Sequence, residues 1–450
     1  MNAFHAYDIR GIYNKDFKKE DAYAIGYYLP ELLDCQKILI GKDVRNSTPE
    51  IFDYLTQGIT DRGAAVYDLG LSTTPMVYWA TAKYGFDASV MITASHNPKE
   101  YNGMKISKTN ATPIGYDSGL NRLEKMILSQ NPMPKAAVKG EIHDFDKKKE
   151  YLQFLSGYSS DFSALKTVVD CSNGMAALLV KEVLGTNPIY LYDEMDGNFP
   201  NHEANPLDMK NIVDLQNKVK AEKADIGIIF DGDADRVMFV DEKGGFISPD
   251  LMIAFMGHYF FEQKKMQGKV IQDIRSSKAV GEYLSQWNAE METWRVGRAY
   301  AAIKLREIDG LYGGELAGHY YFKDFYYSDS AFLACLIILD VLKDFKKQGI
   351  KLSEIIDKIK AYHNSGEINF RIENKKEVMD KVKEITMQNE KAEAFFDFDG
   401  YRVEFKDWWY NIRPSNTEPY LRLLLEAGNQ ELLDSKKQEI ISIIDTYAKK

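Results

Sequence analysis

The chain has 450 residues, of which 45 % are hydrophobic and 28 % charged, and its formal net charge is −10. That size suits about two to four globular domains with ample core, and the acidic balance excludes a general polyanion-binding surface, so no nucleic-acid partner is expected. Cys35, Cys171 and Cys335 are odd in number and far apart, which excludes a disulfide framework. The longest apolar run, Ala331 to Leu339, is too short to span a bilayer. Residues 1–10 lack the basic and apolar regions of a signal peptide. A cytoplasmic enzyme with no membrane partner is the expectation.

Tyr7-Asp-Ile-Arg-Gly11 places a cation beside a turn glycine. Lys37 to Gly41 reads as a strand, followed by Lys42-Asp-Val-Arg45. Thr48 is the expected N-cap of a helix with Pro49 in its first turn and Ile51, Leu55 and Ile59 on one face. Ala64 to Leu69 is strand-like, and Gly70 to Pro75 turns back. Strand, helix, strand in this order predicts βαβ units and a largely parallel sheet. The apolar run Val90-Met-Ile92 is a buried strand, and Pro98 stops its regular continuation. Thr93 to Asn97 therefore form a polar strand-end loop bearing the Ser95 hydroxyl and the His96 imidazole, a common place for an active site. Neighbouring Ser95 and His96 should point apart, which argues against a serine hydrolase. A serine that carries a group, with a metal to manage its charge, fits better.

The first domain is expected to end near residues 147–150. A second α/β unit opens at Lys166 to Asp170, continues through a helix with Ile212, Leu215 and Val219 on one face, and reaches a strand at Asp225 to Phe230. Residues 196–207 are loop-like by their Gly, Pro and Asn content. Asp231-Gly-Asp-Ala-Asp-Arg236 then sets three carboxylates at alternate positions. They cannot all ionise close together without a cation, and a hard divalent ion such as Mg²⁺ satisfies them. An EF-hand would need Gly where Arg236 stands, and helices where strands are predicted. A phosphatase with Asp231 as nucleophile stays open, but leaves the Ser95 loop unexplained.

In a third unit, residues 248–362, Arg275 and Arg298 follow predicted strands, and Gly313-Gly-Glu-Leu-Ala-Gly-His319 forms a turn. From Ser330 an apolar helix is expected. Tyr362 to Gly366 reads as a linker into a C-terminal domain with alternating Ile368, Phe370 and Ile372 and a last helix near residues 430–447. There, Arg413-Pro-Ser-Asn-Thr-Glu-Pro419 combines one Arg, two hydroxyls and an amide, the parts of a phosphate receptor.

Four of these segments resemble, in order, the motifs of the α-D-phosphohexomutases. Residues 93–98 are similar to the phosphoserine loop T-A-S-H-N-P with its following Y-N-G-x-K, and residues 231–236 to the metal loop D-G-D-x-D-R. Residues 313–319 are similar to the sugar-reading G-E-M-S-G-H loop, and residues 413–419 to the phosphate loop R-x-S-N-T-E-P in its phosphomannomutase form. The opening Y-D-I-R-G, the D-G-x-F-P-N segment and the region 320–329 also match. Ala234 stands where Gly is frequent, Ala317 where Ser is common, and Arg298 where many relatives carry His.

The resemblance implies three α/β domains with largely parallel sheets and a smaller α+β fourth domain around one cleft, divided as 1–150, 151–247, 248–362 and 363–450. It implies a mutase acting on small sugar phosphates through a hexose 1,6-bisphosphate, as a monomer or weak oligomer. Ser95 would carry the phosphoryl group and share one Mg²⁺ with Asp231, Asp233 and Asp235. Arg10, Lys105, His96 and His319 are the catalytic candidates, Lys105 for proton transfer if its pKa falls toward the working pH. Tyr7, Arg236, Arg275, Arg298, Glu315, Arg413, Ser415, Asn416 and Thr417 would bind substrate. A metal-dependent sugar-phosphate phosphatase and a non-catalytic sugar-phosphate or Ca²⁺-binding module are the two other classes compatible with the residues.

Overall fold

In each of three consecutive sheets one strand runs between two parallel neighbours, and the outer of these turns back into an antiparallel partner. The computed structural model describes residues 2–129, 131–415 and 420–449. In the first sheet the middle strand is Lys37–Lys42, parallel to Ala65–Leu71 and to Ala88–Ile92, and the latter pairs antiparallel with Tyr101–Lys108. In the second, Thr167–Asp170 lies between Ile189–Leu191 and Ile226–Phe230, and Ile226–Phe230 turns back into Val237–Asp241. In the third, Lys269–Asp273 lies between Glu290–Trp294 and Tyr312–Gly314, which turns back into Tyr320–Phe322. The fourth sheet is antiparallel throughout, with Trp408–Pro414 against Tyr420–Ala427.

The functional motifs occupy equivalent positions. Residues 93–100, 231–236 and 315–319 each connect the two antiparallel strands of a hairpin, and the fourth motif begins on the strand Trp408–Pro414. The strands that lead into the Ser95 and Asp231 loops are largely apolar runs. All five residues of Ala88–Ile92 and of Ile226–Phe230 are buried, as expected for strands covered on both faces. Polar chain emerges only where the run ends, so each hairpin delivers its polar loop to the rim of its sheet.

One apolar core runs through the second and third units and takes in the buried helix Thr74–Lys83 of the first, with Phe230 and Phe332 ring centroids 4.9 Å apart. The C-terminal unit has its own core, around Trp408, Tyr410 and Leu423. It meets the third unit largely through polar bonds. Arg402, fully buried, donates to the carbonyls of Ile274 (2.9 Å) and Ser276 (2.6 Å), and Ser277 donates to Glu426 at 2.5 Å. Among the described residues no helix is long and apolar enough to cross a membrane.

Two local expectations change. The helix begins at Thr48 itself, so Ser47 takes the cap position, and the Thr48 hydroxyl donates to Asp43 at 2.7 Å. Within the expected linker, His363–Asn364 forms an edge strand against Tyr420–Ala427, because its backbone completes the fourth sheet.

Candidate active site

The three hairpin loops meet around Ser95 and the Asp231–Asp235 cluster, and Ser95 is fully buried at the end of its strand. Its backbone lies in the left-handed region, φ 51°, and its N–H donates to the Thr93 hydroxyl at 2.9 Å. The side chain is thereby turned toward the second unit, where Oγ donates to Asp231 Oδ2 at 2.9 Å. The contact is close on the backbone side too. A Cβ on Gly232 would lie 2.4 Å from the Ser95 carbonyl oxygen, so only glycine lets the two loops touch. His96 does not point away, as neighbouring side chains were expected to. Its Nδ1 is 3.4 Å from Ser95 Oγ, because the left-handed turn at Ser95 rotates the pair together. That contact is long, and the hydroxyl proton is directed to Asp231. Burial, with Arg236, Arg10 and Lys105 nearby, pushes the His96 pKa well below its ordinary value and keeps the ring neutral.

Asp231, Asp233 and Asp235 are fully buried, and one oxygen from each lies within 4.8 Å of the others. Burial, then the charges of Asp235 and Asp233, push the Asp231 carboxyl well above the usual carboxylate range. Oδ1 of Asp233 and Oδ1 of Asp235 are buried and accept no hydrogen bond among the described residues. Three crowded carboxylates, two of them with an uncompensated oxygen, fit a hard divalent cation, so these residues could hold a metal ion. Their other oxygens are engaged: Asp233 Oδ2 by the Thr74 hydroxyl (2.5 Å), and Oδ2 of Asp233 and of Asp235 by Lys105 Nζ (2.6 and 2.5 Å). Ala234 sits at φ 56°, a backbone conformation that suits glycine and costs another residue about 1–2 kcal/mol. The departure at this position is therefore one of backbone strain and leaves the donor set intact.

The cations are ordered around this cluster. Arg10 pairs with Asp8 and donates to Asn97 Oδ1 at 2.8 Å, which ties the first motif to the Ser95 loop. Burial acts to lower the Lys105 pKa, but Asp233 and Asp235 outweigh it and hold the ammonium above its ordinary range. In this arrangement Lys105 is a charged donor, and the expected fall of its pKa is not found. Arg236 donates from its backbone N–H to Asp231 Oδ1 (3.2 Å) and from Nε to His319 Nε2 (2.9 Å). His319 Nδ1 in turn donates to Asp329 Oδ2 at 2.7 Å. Both ring nitrogens of His319 are thus engaged. Arg298 closes the chain, donating to Asp329 Oδ1 at 3.0 Å and stacking 3.6 Å over the Tyr78 ring. Its NH2 is buried and makes no hydrogen bond among the described residues.

Beside the cluster lies a cavity of about 140 Å³ lined by Tyr7, Arg10, Lys105, Arg236, Glu315 and His319 among others, with Ala317 on its wall. Glu315 Oε1 accepts from the Tyr321 hydroxyl (3.0 Å) and the Gly297 N–H (3.2 Å). Arg275 lines this cavity and also a larger one, about 570 Å³, that contains Arg413. Asp273 grips Arg275 through two oxygens, at 3.1 and 2.7 Å. Burial and then the nearby Arg275 charge lower the Arg413 pKa. Two guanidinium groups held close across the boundary of the third and fourth units make a receptor for an anion. The Ser415 N–H donates to the Tyr420 carbonyl at 2.8 Å, while Asn416 and Thr417 lie outside the described residues.

Known proteins place the whole arrangement. The family descriptions "Phosphoglucomutase/phosphomannomutase, alpha/beta/alpha domain" I, II and III match residues 1–132, 149–245 and 248–362, and the C-terminal domain matches 367–443. The chain belongs to the phosphoglucomutase/phosphomannomutase family. It is 34 % identical to a phosphomannomutase of Methanocaldococcus jannaschii, over 99 % of this chain and 98 % of the relative. It is also 34 % identical to an Escherichia coli phosphomannomutase, over 99 % of each. A solved family protein from Burkholderia thailandensis superimposes with a TM-score of 0.88 at 27 % identity, covering 99 % of this chain and 97 % of the other.

Four residues of the site escape motif reading: Arg45, Thr74, Tyr321 and Asp329. For Arg45 a signal exists. Asp8-Ile-Arg10, Asp43-Val-Arg45 and Asp273-Ile-Arg275 repeat one spacing, and each forms its own Asp–Arg pair. Thr74 and Asp329 carry no such mark, since only folding brings them to Asp233 and His319.

Proposed function

We propose that this phosphohexomutase-family protein interconverts hexose 1-phosphate and hexose 6-phosphate, mannose phosphates foremost, by passing a phosphoryl group between Ser95 and the sugar. The supporting observation is the bond from the buried Ser95 hydroxyl to Asp231 of an acidic triad, beside a cavity rimmed by guanidinium groups. The phosphoryl leaves Ser95 Oγ for the free hydroxyl at C1 or C6, which gives a hexose 1,6-bisphosphate. The bisphosphate turns over in the cleft, and its other phosphoryl returns to Ser95. Asp231, Asp233 and Asp235, with Ser95, would hold Mg²⁺, which when bound offsets negative charge on the group in transit. Arg10 and Arg236 add fixed positive charge at the same end. Lys105, whose ammonium stays charged beside Asp233 and Asp235, is assigned proton donation to the sugar oxygen, with His96 and His319 orienting the groups around it.

Glu315 reads the sugar hydroxyls, flanked by Tyr7 and Arg298. Arg275, Arg413 and Ser415, with Asn416 and Thr417, hold the phosphate that stays on the sugar. One receptor must serve both substrate orientations, which suits a site formed where the units meet. We assign these as 1–150, 151–247, 248–362 and 363–450, and since residues of one chain complete the cleft, the working form is a monomer or weak oligomer in the cytoplasm. The relatives named phosphomannomutase favour mannose. One from Xanthomonas campestris, 33 % identical over 99 % of each chain, is named for phosphohexoses generally, so glucose phosphates are the second substrate to try. The deciding experiment follows conversion of mannose 1-phosphate to mannose 6-phosphate while measuring inorganic phosphate. Isomerisation without phosphate release supports the mutase. Phosphate release alone would make the protein a phosphatase, and binding without turnover would make it a receptor.

A further inference from the structure

Arg45 lines neither cavity, and its side chain is 0 % exposed. One of its terminal nitrogens donates to the carbonyls of Pro98 (2.7 Å) and Tyr101 (3.0 Å), the other to those of Ser95 (2.9 Å) and Asn97 (2.6 Å). Asp43 balances the charge, 3.2 Å from Nε, and also accepts the Arg45 backbone N–H at 3.0 Å. The second unit closes over this group. The Phe199 ring centroid is 5.0 Å from the guanidinium, and the Asn46 amide donates to Asn198 at 3.0 Å. A Cβ on Gly197 would come within 2.5 Å of the Val44 carbonyl and 2.9 Å of Arg45 Cα, so the 196–201 loop sits directly on the Arg45 backbone.

A guanidinium is planar, with its donors in a fixed fork, so four carbonyls that converge on one are fixed relative to each other. Ser95 needs such bracing. Its left-handed backbone is one that serine holds only where surrounding contacts over-determine it. Its carbonyl is caught between Arg45 and Gly232. With that peptide plane fixed, the Cα–Cβ bond has one direction, and the bond to Asp231 selects the rotamer of Oγ.

We propose that Arg45 is a positioning residue for the Ser95 hydroxyl, held in its seat by residues 197–199 of the second unit. The inference rests on Ser95 as the phosphoryl carrier. Group transfer from a misdirected oxygen is slow even when substrate binds normally, so the effect belongs in kcat and not in KM. Lysine keeps the charge against Asp43, but its three donors on one point cannot span four carbonyls.

The test compares Arg45→Lys and Phe199→Leu with the wild-type chain, measuring kcat and KM for mannose 1-phosphate, melting temperature, hydrogen exchange across residues 93–103, and Ser95 phosphorylation by intact mass. Arg45→Lys should lower kcat by about tenfold to a hundredfold, shift KM by less than about threefold, and speed exchange in residues 93–103 severalfold. Phe199→Leu should move the same readouts less far. A merely structural residue would lower the melting temperature and leave kcat per folded molecule alone. A folded Arg45→Lys variant with wild-type kcat and exchange overturns the proposal. If that variant fails to fold, unchanged kcat and exchange in Phe199→Leu overturn it instead. If the wild type carries no phosphoryl on Ser95 yet Arg45→Lys loosens the loop, the mutase reading fails and the positioning stands.

Discussion

Ser95 Oγ donates to Asp231 Oδ2 across 2.9 Å, and that bond joins two units whose motifs are 136 positions apart in the chain. The bond ties the loops that carry Ser95 and Asp231 into one site, as the proposed phosphoryl transfer requires. Ser95→Ala should abolish most isomerisation while the chain stays folded, because the hydroxyl makes this one side-chain bond and a weak contact to His96. Intact mass should show a phosphoryl adduct on active wild type that excess sugar phosphate removes. Near-normal turnover in the alanine variant would refute the phosphoserine mechanism.

The acidic triad predicts metal dependence with a readout independent of turnover. Three buried carboxylates, two of them with an unbonded oxygen among the described residues, gain most when a divalent ion arrives. Mg²⁺ at about a hundred times its Kd should stabilise the fold by about 2.7 kcal/mol through mass action. Asp233→Asn should lose much of that thermal shift and cut kcat by orders of magnitude. Chelated protein that keeps working, or a melting temperature indifferent to Mg²⁺, would make the triad structural.

Arg413→Lys tests the distal anion receptor. Lysine retains the charge but not the planar fork, so kcat/KM should fall by about 1.5–3 kcal/mol, the scale of a charged hydrogen bond. Because Arg275 and Arg413 stand close together, a bound phosphate relieves their repulsion and should raise the melting temperature of wild type more than that of the variant. Both reaction directions should suffer alike. A variant impaired in neither places the phosphate elsewhere.

What could be read in advance divides by the range of the physics involved. Strand ends, turn residues and carboxylate spacing are local, so the loops at Ser95 and Asp231 stand out by residue type, whereas the loop at Glu315 is marked only by the family resemblance. The relation between loops is not local. Lys105 is engaged by Asp233 and Asp235, 128 and 130 positions away, which inverts the pKa shift expected from burial alone. Arg298 likewise turns its Nε to Asp329 and its face to Tyr78, partners that chain position does not reveal. The kinship of the first and third units was recoverable, since the same Asp-x-Arg spacing recurs at the end of their middle strands.

Glu315 and Ala317 separate sugar recognition from packing. Ala317 lacks the hydroxyl common at this position, so restoring it with Ala317→Ser should alter KM by no more than about tenfold, the scale of one neutral hydrogen bond. Glu315→Gln should cost about 1.5–3 kcal/mol in kcat/KM, since Tyr321 and Gly297 already donate to Oε1 and the amide presents a donor where the carboxylate accepts. Kinetics with mannose 1-phosphate and glucose 1-phosphate, read beside melting temperature, decide it. Unchanged kinetics in Glu315→Gln would remove this loop from sugar recognition.

The seam between the third and fourth units carries its own pH dependence. Glu426 accepts from Ser277 (2.5 Å), Trp409 Nε1 (2.9 Å) and Asn364 (2.9 Å), yet burial, aided by the charge of Asp250, pushes its carboxyl up to about 7. The folded protein therefore keeps a proton that the unfolded chain has released, across the window from the ordinary glutamate value to about 7. Stability from this group is fully present below that window and is lost as pH rises through it. At about 1.4 kcal/mol per unit, the loss is on the order of 3 kcal/mol. Glu426→Gln cannot ionise, so its stability should be flatter between acid and neutral pH, after an initial cost of about 0.5–1.5 kcal/mol for one mismatched bond to Asn364. Because Ser277 and Glu426 belong to opposite sides of the seam, hydrogen exchange near Ser277 should rise with pH in wild type beyond its intrinsic increase, and not in the variant. Parallel pH profiles for the two proteins would show that Glu426 is ionised throughout and that the seam is held without its proton.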